Sequence, residues 1–284
     1  MTKKSGWAKF PHDNKAFNYA GDRLEKAWQT LHAGDGEAFP DAKRAAALVK
    51  ASGKTAPKGL DAAAVARQLQ DAWRAFHYGE FERAFETGQA LGPIGASVAI
   101  KAIGIHANYL VDDVNERIKR YEQAAKLAET AITALPSEAN SHYRHAFVLG
   151  RFSQSISIAK ALSMGLAGKV RDSLETALKL DGKHAEAHTA LALYHAEIIG
   201  KIGALIGGMT YGAKASEAEK HIAAALKLTP DSPIAHVEYG NLLLLLYGDR
   251  KEDAAASAFE KAAKLKARDA MEKLDGDYAR AQIE

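Results

Sequence analysis

The sequence predicts an all-α solenoid of about six antiparallel helix pairs, with lengthened first helices and a C-terminal capping helix. Three observations lead to it. Alanine is abundant and only 7 of the 284 residues are proline, which favours helix throughout. Apolar residues recur at the spacing of one helix face, as in Leu127, Ala131, Ile132 and Leu135. The chain also repeats itself. AWQTLHAGD from Ala27 is echoed by AWRAFHYGE from Ala72, which puts Trp28 and Trp73 45 residues apart. Further on, ANSHYRHAFVLG, AEAHTALALYHA and PIAHVEYGNLLL align on His142, His188 and His236, at spacings of 46 and 48. A period of this size marks stacked helical units.

The elements follow in order within one domain over 1–284. Residues 1–16 read as an N-terminal arm, 17–267 as helical repeats and 268–284 as the charged capping helix. First helices are expected to begin near 17, 60, 94, 138, 184 and 233. SGKTAPKG, 52–59, reads as a linker. Asp112 and Asp113 open the helix VNERIKRYEQAAKLAETAI, where acidic side chains favour the positive end. The second helices end in AETAITALPSEA, LETALKLDGKHA and IAAALKLTPDSP, and break at Pro136, Gly182 and Pro230. Ser216 with Glu219 fits a capping box. Asp231 or Ser232 caps the next helix, with Pro233 at its first position. The fourth and fifth units carry the inserts RFSQSISIAKALSM and EIIGKIGALIGGMT after their first helices. Ile156–Met164 and Ile199–Ile206 are expected to extend those helices, with glycines such as Gly208 marking close approaches. The run NLLLLLYG, 241–248, is apolar all round and is expected to be buried.

The pattern A…ALxLxP, followed by a helix with a small residue at Ala146, Ala192 or Gly240, resembles the tetratricopeptide repeat (TPR). So do the turns Gly34-Asp35, Gly79-Glu80-Phe81 and Gly248-Asp249. The resemblance covers about residues 17–267, with a period longer than the usual ~34 residues. Long first helices with inserts are also similar to the TPR proteins associated with bacterial tripartite (TRAP-type) transporters and to the regulator-of-microtubule-dynamics proteins. The resemblance implies a superhelix whose concave face binds a protein or peptide. In such repeats the second, fifth, ninth and twelfth places of the first helix face that side. Carried over, these are Asn140, Tyr143, Phe147 and Gly150 in the fourth unit, and Glu186, Thr189, Leu193 and Ala196 in the fifth. The sixth unit supplies Ile234, Val237, Asn241 and Leu244, and the first two add Trp28 and Trp73. This lining is aromatic and aliphatic with a few amides.

Other motifs yield to closer reading. GGMTYGAK, from Gly207, has its lysine one place late for a phosphate-binding loop and lacks the following hydroxyl. GKT at Gly53–Thr55 fails likewise. His184, His188 and His195 can share a helix face, but HAEAH is not HExxH and no further ligand completes a metal shell. The recurrence of His188 at the position of His142 and His236 points instead to a repeated cross-helix hydrogen bond or packing contact. No serine sits in a GxSxG elbow. Accordingly no enzyme activity, cofactor or metal is expected.

Composition bounds the partners. With 38 basic and 35 acidic residues the net charge is +3, too small and too evenly spread to suggest nucleic acid. There are no cysteines, hence no disulfides or thiolate sites. The N-terminus shows no apolar signal segment, and no run reaches the ~20 residues needed to span a bilayer. The expectation is a cytoplasmic protein without membrane insertion, with homo-oligomerisation left open. Its expected role is a protein- or peptide-binding scaffold. The alternative is a carrier enclosing a small apolar ligand, in association with a transporter.

Overall fold

The computed structural model describes residues 6–57 and 59–284. Residues 1–5 of the N-terminal arm and position 58 of the 52–59 linker lie outside the described residues. The helices are α1 (Arg23–Leu31), α2 (Ala42–Ser52), α3 (Ala62–Tyr78), α4 (Phe81–Ala90), α5 (Ala96–Leu110), α6 (Val114–Ala134), α7 (Ala139–Gln154), α8 (Ile158–Ser163), α9 (Leu166–Leu180), α10 (Ala185–Ile202), α11 (Ala204–Tyr211), α12 (Ala215–Leu228), α13 (Pro233–Tyr247), α14 (Glu252–Lys264) and α15 (Ala270–Ala281). No strand occurs among the described residues.

The helices stack as pairs. α3 packs on α4, α5 on α6, α7 on α9, α10 on α12 and α13 on α14, and each pair packs on the next. The first unit is opened out. After α1 the chain runs through a ten-residue connection, and α2 packs on α3. There Ala45 and Leu48 meet Val65, Leu69, Leu91 and Ile94 in a small satellite core.

Local chemistry explains most boundaries. Asp41, Asp61, Asp113 and Asp269 each accept a backbone N–H of the first turn of the helix they precede. Gly79 ends α3 in the left-handed region, at φ +92°. The repeated histidines close the inter-helix turns. His142 Nε2 donates to the Pro136 carbonyl at 2.8 Å, His188 to Gly182 at 3.2 Å and His236 to Pro230 at 2.7 Å. Each ties the second turn of a first helix back to the residue that broke the preceding helix. The recurrence thus reports a bond from each helix to the turn before it, rather than the cross-helix bond or packing contact expected.

Some expectations need correction. The 156–164 insert does not prolong α7. It forms the separate helix α8, because the Ser157 hydroxyl accepts from the Lys160 N–H and starts a new helix. The other insert does lengthen α10, to Ile202, after which Gly203 turns the chain at φ +82° and ψ 154°. The close approach in α11 falls on Gly207, where a Cβ would lie 3.0 Å from Ile198; one on Gly208 would make only ordinary contacts. α12 starts one residue before Ser216, with no side-chain cap, so the Ser216–Glu219 capping box is not formed. In the 241–248 run Leu242 and Leu243 are buried, whereas Leu244 and Leu245 are more than one-third exposed.

The C-terminal helix does more than cover α14. α15 also packs on α13 and reaches back to α3. His77 of α3 bonds Asp269 at 2.8 Å, the Tyr19 hydroxyl donates to the Arg268 carbonyl, and the Arg268 guanidinium donates to the Thr30 carbonyl. Met271 and Leu274 join the same core as Trp28, Trp73 and Phe76. The two ends of the stack are thereby held together.

The tightest helix contact is backbone against backbone. Gly88 of α4 meets Gly95, just before α5; a Cβ on Gly95 would lie 2.2 Å from the Gly88 carbonyl oxygen, and one on Gly88 2.7 Å from the Gly95 oxygen. No side-chain rotation relieves such a clash. Gly95→Ala is therefore expected to lower unfolding free energy by ~1–3 kcal/mol, the range for overpacking, as read by urea denaturation. A midpoint equal to the parent's would refute the contact.

Candidate functional site

The first helices α5, α7, α10 and α13 face one another across a common space, and α15 borders it. Between them lies a cavity of about 410 Å³, within the usual range for small-ligand sites. Its walls are apolar. α8 contributes Ile158 and Leu162, α10 contributes Leu193, Ile198 and Ile202, and Phe147 of α7 completes the lining. Ile158 and Leu162 are both more than 40% exposed, so this wall is also a lip open to solvent.

The floor is charged. Its residues Lys101, Arg144 and Glu186 are organised by Asp35, 1% exposed, which does not itself line the cavity and lies on the loop between α1 and α2. His32 Nδ1 donates to its Oδ1 at 2.8 Å, and Lys101 Nζ and an Arg144 Nη donate to its Oδ2 at 2.7 and 2.5 Å. Lys101 and Arg144 also bond Glu186, at 3.2 and 3.4 Å. Burial alone would raise the Asp35 pKa, but Lys101, His32 and Arg144 hold it well below the ordinary carboxylate value. The same ion pairs keep Lys101 charged against its burial. His32 is different. Burial pushes it down to about 4 despite Asp35, since two cations already neutralise that carboxylate and a third charge would be uncompensated. The ring is neutral, stacked on Trp28 at 4.0 Å.

The rest of the floor comes from the far ends of the first helices and from α15. Arg151 donates to Glu238 Oε1 at 3.0 Å, and Asn241 donates to Glu238 Oε2 at 2.8 Å. The Tyr109 hydroxyl donates to Asp275 Oδ1 at 2.5 Å, while Asp275 Oδ2 is buried without a partner. Burial pushes the Asp275 carboxyl well above its ordinary value, and the negative Glu272, Asp269 and Glu238 add to this.

Of the residues expected on the concave face, Tyr143, Phe147, Thr189 and Leu193 line the cavity together, as do Gly150, Glu186 and Ile234. The others are placed elsewhere. Asn140 is spent on the α1–α2 loop, where its amide donates to the Asp35 carbonyl and to Glu37, both at 2.9 Å. Val237 packs in the core against Leu243 and Phe259. Asn241 lies outside the lining and bonds Glu238 and Tyr278. Trp28 and Trp73, 4% and 2% exposed, pack edge to face in the core, because each stacks on the histidine four residues later. Ala196 is in the core and Leu244 lies outside the cavity lining.

Sequence reasoning missed Lys101, Arg144, Arg151, Glu238 and Asp275. Two carry a signal: Lys101 and Glu238 each sit as a lone charge in an otherwise apolar helix, and a charge so placed needs a partner. Asp275 lies in a charged tail where nothing distinguishes it. The histidines of α10 take separate roles. His184 Nδ1 caps the helix, His188 meets His221, and His195 Nδ1 accepts from the Lys214 N–H. Among the described residues no group of three or more His, Cys, Asp or Glu is placed to hold a metal, and no helix is long and apolar enough to cross a membrane. The stretch Gly207–Tyr211 lies within α11.

Comparison with known proteins bears on the fold. The crystal structure of a thermophilic TPR protein of Thermus thermophilus superposes with a TM-score of 0.53, covering 76% of this chain and 99% of that one. The fold is a TPR-like solenoid. Sequence identity over the match is 14%, so the likeness is one of architecture. No family model matches the chain, and no curated protein matches it.

The charge cluster is testable through stability. Asp35→Asn leaves Lys101 and Arg144 short of an anion and is expected to cost ~3–5 kcal/mol, as for a broken buried pair. Adding Lys101→Met should recover part of it, giving a coupling in a double-mutant cycle measured by denaturation; strictly additive losses would show that the pair does not interact. Acid should act in two steps. The folded pKa of His32, about 4, lies below its ordinary 6.5, so its contribution is complete above pH 6.5 and lost as pH falls through about 4. Asp35 follows below its ordinary 3.8. His106 and His221, also pushed down to about 4, act in the same window and the raised Asp275 opposes them, so the test is a difference: the urea midpoint should fall less between pH 6.5 and 4 in His32→Gln than in the parent, and equal slopes would refute the neutral ring.

Proposed function

We propose that the protein is a non-catalytic carrier of a small amphiphilic molecule, held in the cavity between α7, α8, α10 and α15. The observation that carries this reading is that the chain occupies its own concave face. The α1–α2 loop lies along the starts of α7 and α10, where Asn140 donates to it and the Glu186 backbone N–H donates to the Gly34 carbonyl at 2.9 Å. α15 covers another part through Asp275 and Met271. An extended peptide would have to displace both, whereas the remaining cavity suits a compact molecule with an apolar body. The cations of the polar floor are tied up in ion pairs, and groups already partnered orient a ligand rather than transform it. The inserts that lengthen the repeat supply the apolar wall.

A second surface favours a protein partner. On α11, Leu205, Ile206 and Met209 are 77%, 58% and 82% exposed, and an exposed apolar cluster of this kind marks an interaction surface.

The uncharged fluorescent probe N-phenyl-1-naphthylamine should bind with enhanced emission at a stoichiometry of one. Ala190→Trp, which fills the cavity from α10, should abolish binding and leave the melting temperature within a few degrees. Leu205→Ser with Met209→Ser should not affect it. Unchanged probe binding in Ala190→Trp would place the ligand elsewhere, and loss in the α11 variant would place it on that surface.

A further inference from the structure

Counted with Asp35, which pairs with two of them without itself lining the cavity, the four lining cations face five carboxyls. Each cation that faces it already has a counter-ion. Lys101 and Arg144 share Asp35 and Glu186, Arg151 is paired with Glu238, and Lys201 with Glu197. One carboxyl is left over. Asp275, 1% exposed, lines the same cavity and has no cationic partner among the described residues. Its Oδ1 is held by the Tyr109 hydroxyl, and its Oδ2 is buried with nothing to bond. A buried polar atom left in that state is costly, and a charge there is costlier unless paired.

From this geometry we infer that the cavity selects an amphiphilic amine, with its ammonium group on Asp275 and its apolar chain against α8 and the end of α10. The inference rests on the carrier reading and names the class of head group. The choice among head groups follows from the counter-ions. A carboxylate or phosphate head would have to break an existing ion pair to find a cation, and would meet Glu238 and Glu186 as like charges. An alcohol would satisfy Oδ2 but leave the surplus unanswered. An ammonium carries three donors. Asp275 takes one, and Glu238 and Asn108 belong to the same lining. The groups around Asp275 favour this state: Tyr109 on α5 donates to it, Glu238 on α13, Asp269 at the start of α15 and Glu272 on α15 are acidic, and the lining cation Arg151 on α7 is engaged by Glu238. Without a ligand, burial favours the protonated form of Asp275 over the carboxylate. When an ammonium binds, that proton leaves to solvent and the carboxylate pairs with the incoming charge.

The experiment compares octylamine, octanol and octanoate by isothermal titration at pH 7, in buffers of different ionisation enthalpy, each also competed against N-phenyl-1-naphthylamine. Octylamine should bind at least about tenfold tighter than octanol, with octanoate weakest, and its binding should release protons. Asp275→Asn, which keeps the acceptor for Tyr109, should erase both the preference and the proton release while the naphthyl probe still binds. If the probe binds but the amine shows no preference over the alcohol, the head-group assignment is overturned and the cavity stands. If octanoate binds best, the floor is cationic and the assignment is likewise wrong. If no probe enters, the carrier reading falls and takes the assignment with it. The wild-type comparison decides even if the variant does not fold.

Discussion

The arrangement of the concave side depends on one buried carboxylate. Asp35 sits on a loop of the first unit and bonds Lys101 of α5 and Arg144 of α7, and both of these cations continue to Glu186 of α10. Three consecutive pairs are thus held at a common centre by a segment far from each of them in sequence. Burying such charges is costly, and apolar residues of similar volume often serve stability as well or better. What a charged centre adds is registration. Fixed donors and acceptors match in only one relative placement of the helices, whereas alanine-rich surfaces could slide. The curvature that brings α15 against α3 follows from that placement.

The scaffold was legible because its signals are local. The recurring histidine reports a bond to a carbonyl only six residues away. Asp113 and Pro233 mark helix starts through the chemistry of a single turn. Local rules also misled where two were available. Ser216 could have capped a helix, but α12 begins a residue earlier. The 156–164 segment has the apolar content to prolong α7, but Ser157 restarts it. Trp28 and Trp73 repeat because each packs with its own histidine, and a repeated pair can serve the core as readily as a groove.

The site was legible only in its apolar half. A repeat register predicts which way a side chain points, and it brought Tyr143, Phe147, Thr189 and Leu193 to the same cavity. It says nothing about charges whose partners lie 66 or 109 residues away, as Lys101 and Arg144 do from Asp35. Nor does it say that the C-terminal helix turns back to border the cavity. Asp275 becomes significant only once α15 is seen against α5 and α13.

Stacked repeats ordinarily behave as one-dimensional arrays, in which stability grows unit by unit and the ends can fray independently. Here the contacts of Asp269 with His77 and of Arg268 with Thr30 join the last element to the first units. Fraying at either end then breaks contacts at the other, so the array gains the cooperativity of a closed body. The number of units is also fixed. Inserting one more helix pair would carry α15 away from α3, and removing one would drive them together. Such a chain can vary its inserts and its lip, but it cannot grow or shrink by duplication as open solenoids do.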